Sequence, residues 1–92
     1  NSNVPASFNL YQNFPNPFNP ATSIKFDIAK KGNVRLVVFD ILGRELSTLI
    51  NESLNPGTYQ VSFDGSGLSS GIYFCRLQSE NYITTMKMNL IK

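Results

Sequence analysis

A chain of 92 residues with 41% hydrophobic and 15% charged side chains can build one modest core and is too apolar for disorder. Its net charge of +2 is too small, and its basic residues too dispersed, for a nucleic-acid surface. No apolar run approaches the ~20 residues that cross a bilayer, no signal-peptide pattern opens the chain, and a lone cysteine, Cys75, permits no intrachain disulfide.

Residues 1–9 are polar with one proline, and read as the remnant of a linker from an upstream cargo; residues 10–92 are the domain. The stretch 10–20, Leu-Tyr-Gln-Asn-Phe-Pro-Asn-Pro-Phe-Asn-Pro, holds three prolines and two phenylalanines. Each proline fixes its φ, lacks an N–H and pushes its predecessor into extended conformations, so the segment is neither helix nor central strand. Phe14 and Phe18, with Pro15 and Pro17 between them, form a candidate docking face for a partner; the duller alternative is that they pin the segment to its own domain.

Period-2 patterns follow. Ile24, Phe26 and Ile28 alternate with polar residues, and Lys30-Lys31-Gly32 reads as a solvated turn. Val34, Leu36 and Val38 share one face of the next strand, while Val37 and Phe39 make its other face apolar, as in a central strand covered on both sides. Asp40-Ile41-Leu42-Gly43 is a turn capped by the Asp side chain, with Gly43 free to take positive φ and Arg44 at the surface. Leu46, Leu49 and Ile50 break alternation in the returning strand, which leaves a bulge or a short helical turn open. Asn55-Pro56-Gly57 turns the chain, Tyr59, Val61 and Phe63 alternate, and Asp64-Gly65 closes that strand. Gly71 opens the next, with Tyr73, Cys75 and Leu77 inward and Cys75 a buried structural thiol. Met86, Met88 and Leu90 alternate in a last strand expected to run to Lys92. About seven short strands with a turn every 8–12 residues describe an all-β, immunoglobulin-like antiparallel sandwich.

Chemistry is sparse. Gly67-Leu68-Ser69-Ser70-Gly71 has the form of a nucleophile elbow, but the chain has no histidine to activate the serine and no helix follows. Asp64 beside Gly65 is too poor in oxygen ligands for Ca²⁺. The carboxylates are scattered, no Cys/His metal set exists, and Asn51-Glu52-Ser53 is a sequon in form only. No catalytic residue, metal, cofactor or small-molecule substrate is expected.

Several motifs in order resemble the type A C-terminal sorting domain of the type IX (Por) secretion system of Bacteroidota. They are Asn13-Phe14-Pro15-Asn16-Pro17-Phe18-Asn19-Pro20, Thr22 to Phe26, Val34-x-Leu36-x-Val38-Phe39-Asp40-x-x-Gly43-Arg44, Gly57-x-Tyr59, Phe63-Asp64-Gly65, Ser70-Gly71-x-Tyr73 and Lys87-Met88. The family often has Trp where Phe63 stands. The resemblance implies a signal read as a folded object, recognised by the outer-membrane translocon and its shuttle proteins after passage through the periplasm. It also implies removal by a sortase-like signal protease, and delivery of the cargo to the cell surface or medium. Lys87, Met88, Leu90, Ile91 and Lys92 are the implied recognition residues, at an edge strand a partner can grasp; Asp40, Gly43, Arg44, Asp64, Gly65 and Gly71 are structural. The alternatives are a carbohydrate-binding module or a structural accessory domain of a secreted enzyme. The first is weakened by the absence of Trp and the inward reading of Tyr59 and Tyr73.

Overall fold

The computed structural model describes residues 4–92, so residues 1–3 of the expected linker lie outside the described residues. Seven strands form among them, and no helix: β1 (Asn9–Leu10), β2 (Ala21–Ile28), β3 (Gly32–Phe39), β4 (Glu45–Leu54), β5 (Gly57–Asp64), β6 (Gly71–Ser79) and β7 (Tyr82–Leu90). They make two antiparallel sheets, ordered β1-β2-β5 and β4-β3-β6-β7, and pack as a sandwich. Alternation decides what lies between them. Ile24, Phe26, Ile28, Val34, Leu36, Val38, Cys75, Leu77 and Met88 are all at 0% exposure, so the expected inward faces are the core.

The two-sided pattern of β3 has a specific cause. β3 is interior to its sheet, paired with β4 on one side and β6 on the other. Its outward residues Val37 and Phe39 are also buried, and the Arg76 guanidinium lies 4.4 Å from the Phe39 ring centroid. A cation over an aromatic face, with an aliphatic stem below it, covers this second apolar surface without a further layer.

β4 resolves the choice between bulge and helical turn in favour of bulges. Pairing passes from Leu36↔Ile50 to Val37↔Thr48 and from Val38↔Ser47 to Phe39↔Glu45, so Leu49 and Leu46 are extra residues. The strand runs on to Leu54. Bulges on an edge strand twist it away from edge-to-edge pairing.

The proline segment does more than lie on the surface. Phe14 bridges Ser23 of β2, and Phe18 then makes a parallel bridge to Leu90 of β7. One short stretch therefore stitches the two sheets along one side. Phe18 reaches the core at 1% exposure and meets Phe63 edge-on, with centroids 6.1 Å apart. The Phe14-Pro15, Asn16-Pro17 and Asn19-Pro20 peptide bonds are cis.

The sandwich measures 42 × 23 × 16 Å, and its ends differ. At one end β1 pairs Asn9 with Asp27, beside the Ile28↔Gly57 pair and the β2–β3 and β4–β5 turns. At the other end gather the turn at residues 40–44, the loop at 65–70 and the end of β7.

Candidate functional site

The end of β7 is built from three neighbours. Gly71 is the first residue of β6 and pairs with Leu90, so Ile91 has no partner across the ladder. β7 accordingly stops at Leu90, and Ile91 and Lys92 lie beyond the strand that was expected to reach the last residue. They remain fixed. The Ile91 N–H donates to the Phe18 carbonyl at 3.0 Å, and the Lys92 N–H donates to Ser70 Oγ at 2.9 Å. Lys92 Nζ donates to the Ser66 carbonyl.

The outer edge of β7 is capped over its last third. The Asn89 N–H donates to Asn16 Oδ1 at 3.0 Å, its carbonyl accepts from the Phe18 N–H at 2.9 Å, and the Lys87 carbonyl accepts from Gln12 Nε2 at 2.7 Å. Backbone groups in an antiparallel strand point alternately to either side, so Ile83 and Thr85 share the outward direction of Lys87 and Asn89. The expectation of an edge open for capture is thereby corrected. Residues 87–91 are occupied by the chain's own proline segment, because that segment needs partners for backbone groups that proline geometry keeps out of any ladder of its own.

Burial divides the implied recognition residues. Met88 is at 0% and Leu90 at 1% exposure, so their side chains are core, whereas Ile91 is 55% exposed and Lys87 and Lys92 are exposed. The candidate docking residues divide as well. Phe18 is withdrawn into the core, Pro15 and Pro17 lie at the surface, and Phe14 is 80% exposed.

The structural motif residues surround this end. Asp40 Oδ1 accepts from the backbone N–H groups of Leu42 and Arg44, both at 2.9 Å, and Arg44 Nε donates to Oδ2 at 2.6 Å. The Arg44 backbone N–H does most to hold the Asp40 carboxyl below its usual range; burial opposes it, and the Arg44 guanidinium and Leu42 N–H add to it. Gly43 closes the turn at φ +85°, in the left-handed region. Asp64 Oδ1 accepts from the Ser66 N–H at 2.9 Å, a turn bond that fits its structural reading. Gly65 sits where a Cβ would come within 3.2 Å of Leu90 and 3.3 Å of Phe18. Gly71 opens β6 at φ +156°. Between the 40–44 turn and the 67–71 loop lies a groove of about 350 Å³ rimmed by Ile41 and Leu42, 69% and 74% exposed.

Ser69 precedes a strand and uses its carbonyl to accept from Tyr73 Oη at 2.6 Å. Among the described residues no three His, Cys, Asp or Glu side chains come together as a metal site. Burial pushes the Cys75 thiol up to about 12, far from a reactive thiolate.

Sequence reasoning missed the polar residues that hold the proline segment. Asn13 is 2% exposed; its Nδ2 donates to Thr22 Oγ1 at 3.0 Å and to the Pro15 carbonyl at 3.1 Å, which also accepts from Thr22 Oγ1 at 2.9 Å. Asp27, buried in β2, accepts from Tyr11 Oη, from Asn9 Nδ2 at 3.1 Å and from Thr58 Oγ1 at 2.7 Å. The available signal was chemical: proline leaves carbonyls without ladder partners, and short polar side chains nearby satisfy them.

A profile of the secretion system C-terminal sorting domain matches residues 12–92. A search of curated proteins found no match. The matched span covers the proline segment, the turn at 40–44 and the clamped end of β7, the three features that fix this end of the sandwich. Members of the family are in general non-catalytic, and the domain implies interaction with the type IX machinery and export across the outer membrane. The chain belongs to the secretion system C-terminal sorting domain family, the sorting signals of type IX secretion.

Proposed function

We propose that the domain is read, as a folded object, by the outer-membrane translocon and its shuttle proteins, which approach it end-on at Ile91 and Lys92. Lys87 lies on the adjoining outer face, and Met88 and Leu90 anchor the strand from within. The cargo joins at the other end, through residues 1–9, where a sortase-like signal protease cuts after passage through the periplasm. The cargo is then left at the cell surface or in the medium.

The observation that carries this reading is the fixing of Ile91 and Lys92 at the opposite end of the long axis from β1. A reader at one end and a passenger at the other do not collide. End-on reading also fits the capped edge of β7, where strand addition would first have to strip Phe18 from the core.

A fusion of residues 10–92 to a reporter carrying an export leader tests this in a host with the secretion system. The intact domain delivers the reporter to the surface or medium. Deletion of Ile91 and Lys92 leaves a folded domain and a reporter held in the periplasm. Retention of the reporter in the periplasm by the intact domain would overturn the proposal.

A further inference from the structure

The outer face of the β1-β2-β5 sheet lies apart from the β7 end at which we place sorting, and its composition is distinctive. Its core side takes Ile24, Phe26, Val61 and Phe63, so the alternate residues face out. The register places Lys25 beside Gln60 and Ser23 beside Ser62. These are short hydroxyl and amide side chains, with one cation. The row is bounded on the β1 side by two aromatic residues, Tyr11 at 41% and Phe14 at 80% exposure. Between them lies a depression of about 410 Å³, within the range of small-ligand sites.

Both aromatics are fixed by their own strand contacts. Backbone bonds join the Phe14 N–H and carbonyl to Ser23 at 3.0 and 2.9 Å, and the Tyr11 N–H donates to the Lys25 carbonyl at 3.0 Å. The Tyr11 ring is further held by its hydroxyl bond to Asp27 and by Lys25 Nζ, 5.2 Å from its centroid. Gln60 Nε2 donates to Ser23 Oγ at 3.1 Å, and its amide oxygen has no hydrogen-bond partner among the described residues. Lys25 forms no salt bridge among the described residues.

We infer that this face is a second site, separate from the end that sorting reads, and that it binds a short run of pyranose units from a neutral glycan. A pyranose has an apolar face of C–H groups and an equatorial rim of hydroxyls. Phe14 supplies a flat apolar surface for the first, and Tyr11, with Lys25 over its ring, flanks it. Gln60, Ser23 and Lys25 supply acceptors and donors for the second. An apolar peptide would find too little aliphatic surface here, since such surface lies instead at Ile41 and Leu42 on the end of the sandwich. An anionic polymer would find only one cation. The floor of hydroxyls and amides selects the polyol.

The test is titration of the isotope-labelled domain with cellohexaose, xylohexaose and mannohexaose, followed by amide NMR shifts. Saturable shifts at Tyr11, Phe14, Ser23, Lys25 and Gln60 are expected with at least one of them. Phe14→Ala removes a side chain that is mostly in solvent, so the fold persists, and affinity falls by about tenfold, the equivalent of ~1.4 kcal/mol of stacking. Gln60→Ala provides a second, independent loss. No saturable shift with any of the three sugars overturns the inference, as does binding that Phe14→Ala leaves unchanged. Shifts at these amides with an apolar peptide, but with none of the sugars, would make the face a protein-docking surface and sink it equally. Reporter delivery stays intact in Gln60→Ala, so failure here is distinguishable from failure of the sorting role.

Discussion

Tyr59 and Tyr73 make the same bond: each hydroxyl donates, at 2.6 Å, to the backbone carbonyl four residues upstream, Asn55 for one and Ser69 for the other. Each tyrosine follows a glycine by two positions, and each stands where the chain has just crossed from one sheet to the other. The Gly-x-Tyr motif is thus a corner brace used twice. Its ring enters the sandwich while its hydroxyl ties down the crossing loop, as the tyrosine corner does in immunoglobulin-like domains.

Replacing each hydroxyl separates the two braces. Tyr73 is 8% exposed and its bond is partly buried, whereas the Tyr59 bond is exposed. Tyr73→Phe should cost about 1–1.5 kcal/mol and Tyr59→Phe about 0.5 kcal/mol, because water replaces an exposed partner at little cost. Urea unfolding of both variants measures the difference. Equal losses would show that the bonds, and not their burial, set the effect.

The β1 side has a different fastening, and it depends on pH. Burial pushes the Asp27 carboxyl up, but hydrogen bonds from Tyr11, Thr58 and Asn9 and the charge of Lys25 together hold it below its ordinary value. A carboxyl whose folded value is depressed contributes stability above its unfolded value, about 3.9, and loses it as pH falls through the folded value. The Tyr11 hydroxyl is raised, chiefly by its bond to Asp27, so its share is present below about pH 10 and is lost as pH rises through the folded value. Stability should therefore be flat at neutral pH and fall below about pH 4 and above about pH 10. Asp27→Asn should make the acid limb shallower and leave the share of Asp40, whose carboxyl is also held below its usual range, read from denaturant midpoints across pH. An unchanged acid limb would move the titration to another carboxylate.

Most of the sandwich could be read from the chain because half-buried strands advertise themselves by alternation. Ile24 and Phe26, Tyr73 and Cys75, and Met88 and Leu90 all point inward as the pattern requires. Alternation fails where a strand is anchored by other means. β1 is two residues long and has no pattern to show, and Leu46 and Leu49 are extra residues that shift the phase of β4. The site was legible in part. Lys87, Ile91 and Lys92 emerged at the surface, but which strand edge was covered depended on a contact between residues 73 positions apart, Asn16 and Asn89. Composition and local period carry no information about such a contact.

Gly43 and Gly65 occupy neighbouring motifs for opposite reasons, and substitutions expose this. Gly43 has φ +85° with open space around its Cα, so its requirement is conformational. Gly65 has no positive φ requirement but is pressed between Leu90 and Phe18, both at 1% exposure. Gly43→Ala should cost about 1–2 kcal/mol, and Gly43→Asn less, since Asn tolerates the left-handed region. Gly65→Ala should cost about 1–3 kcal/mol by overpacking, and Gly65→Asn more still. The reversed order of Ala and Asn at the two sites, measured by thermal or urea unfolding, is the diagnostic.

The capped edge of β7 makes a prediction residue by residue. Outward amides that find an acceptor exchange with solvent only when that acceptor departs. The Asn89 N–H is held by Asn16 Oδ1 and the Ile91 N–H by the Phe18 carbonyl, whereas the outward amides of Ile83 and Thr85 meet no backbone acceptor among the described residues. Hydrogen exchange followed by NMR should find Asn89 and Ile91 protected, and Ile83 and Thr85 fast. Asn16→Ala should accelerate Asn89 by about tenfold, the equivalent of one hydrogen bond of ~1.4 kcal/mol. Ile91 should remain slow, since Phe18 is anchored separately in the core. If Asn16→Ala released Asn89 and Ile91 together, the proline segment would leave β7 as one unit, and the edge would be open to strand addition after all.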